Sequence, residues 1–536
     1  MFARHENVPS GFRIRLLRTR NKVASRLQHF SRSEDGAMLV MGLFVFLMIL
    51  MLGGIGVDMM HYERERSKLQ YTLDRAVLAA ADLDQPLPPK EVVRNYFDKA
   101  GLAEHIKSIN VVSGINFRNV SATAASSMPT QFMHMMELDE LTVPAAGAAE
   151  ERIDSIEISL VLDVSGSMNS NSRLTNLKVA AKDFVETMDD NSADGDMSIS
   201  IIPYATQVAV TDDLLDTLNV TTEHSFSNCI NFKSSDFSSS GMSSSDEQKR
   251  TMHFDPWRTW DGRDTEPTGL VGLDDGLDST LPVCEAMDNR EVLVLQKNVA
   301  TLQTYIDNLT ARGNTSIDIG MKWGTALLDP SLRTSVNTLV GNGNVPSDFT
   351  NRPSGYDDGE TLKVIVLMTD GKNTSQYYLN DDYRDGPSEI WFNDDENKYS
   401  TYDPSEDAYY WDHSDQWADH PYGQDGYGCV GTSTSNWTCE DRTEPGSAAN
   451  VAYPDLWAYT TLKANAKRRY YPFMNDNTAY NKWYYDVRSY VNAATKNSRT
   501  QTICDAAKNQ GVIVFTIGFE APTEGQVVLE ECASSD

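Results

Sequence analysis

Asp163, Ser165 and Ser167 alternate in the stretch Ile156 to Met168, I-E-I-S-L-V-L-D-V-S-G-S-M. A tight turn can aim one carboxylate and two hydroxyls at alternate positions toward a common point, and Gly166 lets the backbone bend there without a Cβ. Converging hard oxygens suit a small divalent cation. Magnesium prefers an octahedron of oxygens at about 2.1 Å and keeps several waters, so a few protein oxygens plus one position left for a ligand make a site. Two further loops offer such oxygens. Thr315 lies in A-R-G-N-T-S (311–316) ahead of an apolar helical pattern, and Asp370-Gly371 closes the apolar run Leu362 to Thr369. The candidate metal-ligating set is therefore Asp163, Ser165, Ser167, Thr315 and Asp370. The competing use of Asp163 and Ser165 is as caps of the helix that follows.

Catalytic chemistry finds little support in the chain, and a non-enzymatic protein is expected. There is no G-x-S-x-G elbow, no Walker loop and no H-E-x-x-H. Ser165 and Ser167 have no base nearby, and their aspartate neighbour suits metal ligation better than nucleophilic attack. The cluster Asp412, His413, Asp415, Asp419 and His420 invites a metal reading, but its two histidines are seven apart and share no helical face.

The elements that must position these oxygens are legible as apolar runs. Ile156 to Leu162 and Leu362 to Thr369 read as buried strands of a parallel sheet, each ending abruptly in an Asp. Open α/β sheets bind ligands beyond the carboxyl ends of their strands, so both runs point to one edge. Leu174, Leu177, Ala181, Phe184, Val185 and Met188 fall on one face of a helix over 173–188, and Met197 to Tyr204 alternates as a strand. Val292 to Leu309 carries apolar residues at helical spacing (Val299, Leu302, Ile306, Leu309), and Ile317, Met321, Gly324 and Leu328 continue the core. Near the end, Ile503 to Gln510 reads as a helix closed by Gly511, Val512 to Phe519 as a buried strand and Thr523 to Cys532 as a helix. The expected fold class is α/β, a doubly wound, mostly parallel sheet, interrupted by inserts at 211–290 and 373–500. The second insert holds 17 of the 23 Tyr and six of the nine Trp. Disordered segments are poor in aromatics, so at least part of it folds. Its aromatics serve either a binding face, for glycan or protein, or a small core covering the sheet edge.

The D-x-S-G-S after a strand, the G-x-T of Gly313 to Thr315 and the T-D-G of Thr369 to Gly371 occur in an order that resembles a von Willebrand factor A domain with its metal-ion-dependent adhesion site. The resemblance implies that Ser165, Ser167 and Thr315 bind the metal directly or nearly so, with Asp163 and Asp370 acting largely through water. It implies magnesium, with manganese or calcium as alternatives, and a protein partner whose Glu or Asp completes the coordination. It also implies one more strand and a terminal helix beyond Cys532, which the chain ending at Asp536 lacks.

Upstream, residues 1–34 carry eight Lys or Arg against two Glu, directly before the uncharged run Gly36 to Val57. About 20 apolar residues suffice to cross a bilayer as a helix, and the positive-inside rule places the basic tail in the cytoplasm. A signal peptide would have a shorter apolar region. Tyr62, Leu69, Leu73, Ala76 and Ala80 continue at helical spacings. The segment L-Q-Y-T-L-D-R-A-V-L-A-A-A (Leu69 to Ala81), after a Gly-rich membrane end and Asp58, resembles the amino-terminal signature of TadE/TadG-like proteins of the tight-adherence (Flp) pilus machinery. Processed pilin-like subunits carry Glu at the fifth position after the cleavage glycine. Here Gly36 is followed by A-M-L-V-M, which favours the uncleaved, TadG-like branch.

The expected organisation is a basic cytoplasmic tail (1–35), a transmembrane helix (36–58), a helix plus small β-rich stalk (59–150) and a von Willebrand factor A-like domain (154–536). This describes a single-pass inner-membrane protein with its bulk in the periplasm. Its expected role is a metal-dependent, protein-binding component of Flp pilus assembly; the alternative is an envelope adhesin that binds glycan or matrix through the aromatic insert. A formal net charge of -31 on the whole chain, with the tail itself positive and the remainder therefore more acidic still, argues against a nucleic-acid partner. All six cysteines lie beyond the apolar run. In an oxidising compartment they favour disulfides over zinc, since no C-x-x-C occurs. Six cysteines allow 15 connectivities, and proximity favours Cys229 with Cys284, Cys429 with Cys439 and Cys504 with Cys532.

Overall fold

A computed structural model of the chain describes residues 35–153, 155–257 and 281–534. The basic tail up to Glu34 and the centre of the 211–290 insert lie outside the described residues. The chain divides into two units, Met1–Arg152 and Ile153–Asp536.

In the first unit, helix α1 (Asp35–Ala81) runs without interruption from the apolar segment into the charged one. Its stretch from Gly36 is long and apolar enough to cross a bilayer. Beyond Asp58 the apolar residues narrow to one stripe, and Leu69, Leu73, Ala76, Val77 and Ala80 are buried at spacings of three and four. The stripe packs with Val92, Val93 and Phe97 of α2 (Pro89–Lys99) and with an antiparallel sheet of β1 (Ile106–Ser113), β2 (Phe117–Pro129) and β3 (Glu140–Arg152). Val120, Ala122 and Ala124 of β2 are buried at the two-residue period of a strand with one covered face. In the sequence, clear strand-like alternation is confined to 115–122 and 141–143, and the strands run longer than that. Ala and Ser are weak strand formers alone, and pairing recruits them here.

The second unit contains β4 (Ser155–Asp163), α3 (Arg173–Asp190), β5 (Met197–Tyr204), β6 (Leu293–Gln296), α4 (Val299–Asn308), α5 (Ile317–Ala326), β7 (Thr361–Thr369), α6 (Ala493–Asn509), β8 (Ile513–Gly518) and α7 (Thr523–Cys532). Its main sheet has the order β8-β7-β4-β5-β6. The β8–β7, β7–β4 and β4–β5 pairings are parallel and β5–β6 is antiparallel. Asp163 lies opposite Tyr204, Leu162 opposite Met368 and Gly518 opposite Thr369, so four parallel strands end at one level. Helix α5 crosses closely because it presents glycines: a Cβ on Gly324 would lie 2.5 Å from Val161 Cγ2, and one on Gly320 2.6 Å from Tyr204 Cδ1. The architecture is mixed α/β, and the remaining sheets are antiparallel.

Three sequence expectations need correction. The helical pattern over 292–309 begins with a strand, β6, because Val292 to Leu295 turn toward the sheet before Asn298 caps α4 through Thr301 N–H. The 373–500 insert ends earlier than expected: α6 starts at Ala493, with Asn492 accepting from Thr495 N–H at 2.9 Å. The 211–290 insert, whose Ser-, Asp- and Thr-rich composition predicts a long loop, is packed onto the domain in its described residues. Its isolated apolar residues Leu214, Leu215, Ile230, Phe232, Phe237 and Met242 all enter the main core.

The second insert folds as a seven-stranded antiparallel sheet between Pro387 and Ala452, followed by short helices. Ile390, Phe392, Trp457, Tyr470 and Trp483 form its core, joined by Met252, Phe254 and Val283 of the first insert. The two inserts therefore share one apolar interior. Of the insert's aromatic side chains, Tyr427, Tyr485 and Tyr490 remain exposed, so most of the aromatic content is used in packing.

Cys229–Cys284, Cys429–Cys439 and Cys504–Cys532 are disulfide-bonded, with no free cysteine. The last ties α6 to α7 across 28 residues of sequence. Replacing both Cys504 and Cys532 by Ser is expected to cost roughly 3–4 kcal/mol through released chain entropy, read as a lower urea midpoint.

Candidate metal centre

At the carboxyl edge of the parallel strands the Asp163 carboxylate is fully buried and held at both oxygens. Oδ1 accepts Ser165 N–H at 2.8 Å, and Oδ2 accepts the Thr369 hydroxyl at 2.7 Å. Thr369 Oγ1 in turn accepts Gly371 N–H at 2.9 Å. Asp163 thus ties the turn after β4 to the end of β7. Each oxygen accepts a hydrogen bond, so Asp163 organises the two loops while keeping acceptor capacity.

Ser165 Oγ and Ser167 Oγ stand 3.1 Å apart. Two cis ligands of an octahedral cation with bonds of about 2.1 Å lie roughly 3 Å apart, so the hydroxyl pair matches one edge of such an octahedron. Ser165 is buried and Ser167 exposed, which opens the site on the side of the second hydroxyl.

The third loop abuts this turn through its backbone. Gly166 N–H donates to Gly313 O at 2.9 Å, and Arg312 N–H to Val164 O at 2.8 Å. A Cβ on Gly166 would approach Gly313 O to 3.2 Å, and Gly313 itself sits at φ +88, so glycine suits both positions. Thr315 follows two residues later and is buried. Its N–H donates to Thr374 Oγ1 at 2.9 Å, and its carbonyl accepts Lys496 Nζ at 2.6 Å. Asp370, also buried, receives Arg173 Nη1 on Oδ2 at 3.1 Å. All five sequence-identified residues therefore lie on three adjoining loops.

The electrostatics favour a cation. Burial first, and the Asp370 charge second, push the Asp163 carboxyl up to about 6. A buried carboxyl whose ionisation is opposed in this way is what a divalent ion relieves. Together with the hydroxyl pair, this donor set fits a hard divalent cation. Arg173 partly supplies that compensation now, and it also lies 3.5 Å from Glu520, which Asn171 Nδ2 contacts at 2.7 Å.

Sequence reasoning missed Thr369 as a partner of Asp163, Arg173 as the cation on Asp370, and Lys496. Thr369 stands inside the T-D-G motif and could have been assigned. Lys496 could not, because it reaches Thr315 from 181 positions away with no local pattern to mark it. Among the described residues no three His, Cys, Asp or Glu side chains are grouped so as to hold a metal. In the Asp412 to His420 cluster the acids are otherwise engaged: Arg469 pairs with Asp412, while His420 bridges Asp419 at 2.6 Å and Glu444 at 3.2 Å.

Residues 36–83 match the family model of putative Flp pilus-assembly TadE/G-like proteins. This amino-terminal region is therefore TadE/G-like. Among solved structures, the von Willebrand factor domain of the type V pili tip protein Mfa5 from Porphyromonas gingivalis is similar at 12% identity, covering 72% of this chain and 88% of that one, with a TM-score of 0.26. The adhesive tip pilin GBS104 from Group B Streptococcus agalactiae shows 12% identity over 71% of this chain and 94% of its own, with a TM-score of 0.25. The pilus adhesin SpaC from Lactobacillus rhamnosus GG shows 11% identity and a TM-score of 0.26; the match covers 80% of this chain but only 30% of the adhesin. No curated protein matches the chain at a significant level.

Proposed function

We propose that this protein is a membrane-anchored, TadG-like component of Flp pilus assembly that captures an acidic protein partner through a divalent cation. Asp163, Ser165, Ser167, Thr315 and Asp370 would hold the ion, and a partner carboxylate would complete its coordination. The domain from Ile153 is read as a doubly wound, von Willebrand factor A-like fold with two inserts. Its central strands β7, β4 and β5, parallel and ending at one edge, support that reading. The observation that carries the functional proposal is the Ser165–Ser167 hydroxyl pair, 3.1 Å apart beside two buried carboxylates.

The proposed role is binding rather than catalysis, with magnesium as the expected ion. The helix from Gly36 would be the anchor, with the basic tail cytoplasmic and the remainder in the periplasm; the three disulfides suit that oxidising compartment. The test is cross-linked capture of pilus components by the full-length protein in solubilised membranes. Chelation should abolish capture and excess magnesium should restore it. Equal capture with and without chelator would rule the mechanism out.

A further inference from the structure

The apolar part of α1 is exposed nearly all round, with Leu47, Met48 and Leu52 at 47%, 48% and 65%. At its outer end one face is covered. Gly54 and Asp58 are buried and Met51 and Ile55 half-buried, while Leu52, Gly53, Gly56 and Val57 between them are exposed. Residues three and four apart share a helix face, so a single neighbour covers this one. That neighbour is the turn between β2 and β3. A Cβ on Gly54 would lie 2.4 Å from Phe132 Cγ, so the phenyl ring rests directly on helix backbone. The Asp58 carboxylate accepts three successive backbone N–H groups of the turn, from Gln131 at 3.0 Å, Phe132 at 2.8 Å and Met133 at 2.7 Å. A buried carboxylate so fully bonded is tolerated at a membrane boundary.

We infer that the turn Phe132–Leu138 is a second membrane contact of this chain, seated in the interfacial layer of the bilayer beside the helix. The inference rests on the reading that Gly36–Val57 spans a bilayer. With a helical rise of about 1.5 Å per residue, Gly54 lies about 5 Å inside the end of the apolar run at Val57. Amphipathic elements settle at a depth of about 5–10 Å, at the boundary of headgroups and acyl chains. The turn whose Phe132 rests there presents Met135, Met136 and Leu138, which are 60%, 45% and 43% exposed. The lipid bilayer is the occupant the surroundings favour, because the turn rests on α1 at Gly54 and Asp58, where the exposed apolar stretch of that helix ends. The acids Glu137, Asp139 and Glu140 interrupt and follow it, and Asp139 pairs with His134, as expected where an apolar tip meets the headgroup layer.

The experiment uses the full chain in phosphatidylcholine nanodiscs, with an environment-sensitive fluorophore on Met135→Cys, and separately on Leu47→Cys and Glu104→Cys. All native cysteines are in disulfides, so each new thiol is labelled alone. Spin-labelled lipids carry the quencher high or low on the acyl chain. The label at position 135 should lose fluorescence to the shallow quencher, that at 47 to the deep one, and that at 104 to neither. Quenching at 47 without quenching at 135 would overturn the inference while the anchor stands. Blue-shifted but unquenched emission at 135 would assign the patch to a protein neighbour and overturn it too. Absence of quenching at both 47 and 135 would remove the anchor reading and this inference with it.

Discussion

Asp163→Asn is expected to abolish the stabilisation of this protein by magnesium while leaving the metal-free fold at least as stable as the wild type. At a hundredfold excess of cation over its dissociation constant, a single site adds about 2.7 kcal/mol to stability, and the variant should gain none of it. The metal-free half follows from burial. Asp163 is shut away from water beside Asp370, and its carboxyl is pushed up to about 6. A folded-state value above that of the unfolded chain contributes stability at low pH. That contribution is lost as pH rises from about 4 through 6, because the ionised form is favoured when unfolded. Metal-free wild type should therefore lose stability from this group between pH 5 and 7, by an amount on the order of 1.4 kcal/mol per pH unit at most. The Asn variant should lack this component. Asparagine is nearly the same shape and keeps an acceptor for Ser165 N–H, while Thr369 Oγ1 can turn to accept from its amide. Urea midpoints in chelator and in excess magnesium, at pH 5 and 7, read both halves. An equal magnesium increment in the variant would remove Asp163 from the site.

The residues of this test were legible in the sequence for a physical reason. Parallel strands buried on both faces are largely apolar, so β4 and β7 read as apolar runs broken only by Glu157, Ser159 and Lys363, of which Glu157 and Lys363 pair with each other, and an aspartate at the end of each marks the sheet edge. Strand β5 and helix α7 have the bounds that their patterns predict. Strand β6 was hidden because its four residues, Leu293 to Gln296, lie immediately before the helical spacing of α4 and merge with it. The start of α6 was hidden for the opposite reason. The stretch A-A-T-K-N-S-R-T-Q-T offers no apolar stripe before Ile503, so the early turns are recognisable only by the Asn492 cap and by what Lys496 touches. In the first insert, single apolar residues among Ser and Asp carry no period. Ile230, Phe232 and Phe237 declare themselves only once the chain folds back onto α5 and its neighbours.

Lys496→Met is the second large effect, because that side chain joins the return of the aromatic insert to the loop of Thr315. Its ammonium is fully buried and donates to Thr315 O at 2.6 Å, Ser316 Oγ at 2.6 Å and Thr374 O at 2.8 Å. Burial pushes it down to about 8, so it is still mostly charged at pH 7. It is the first of the cations that offset the burial of Asp318, Arg499 being the next. Methionine fills similar volume but leaves two carbonyls without this donor and Asp318 without its main counter-charge. Removing one partner of a buried charge pair costs about 3–5 kcal/mol, and the urea midpoint should fall accordingly. The effect should reach the cation as well. Thr315 is held by Lys496 at its carbonyl and by Thr374 at its N–H, so releasing one of the two loosens the third loop, and magnesium affinity should drop with stability. Adding Asp318→Asn removes the stranded charge. The double variant should then recover stability beyond additivity, by about 0.5–3 kcal/mol as coupled neighbours do, without recovering magnesium affinity, because the Thr315 carbonyl still lacks its donor. Strict additivity would uncouple Lys496 from Asp318, and magnesium affinity unchanged in Lys496→Met, or restored together with stability in the double variant, would show that Lys496 does not hold the Thr315 loop.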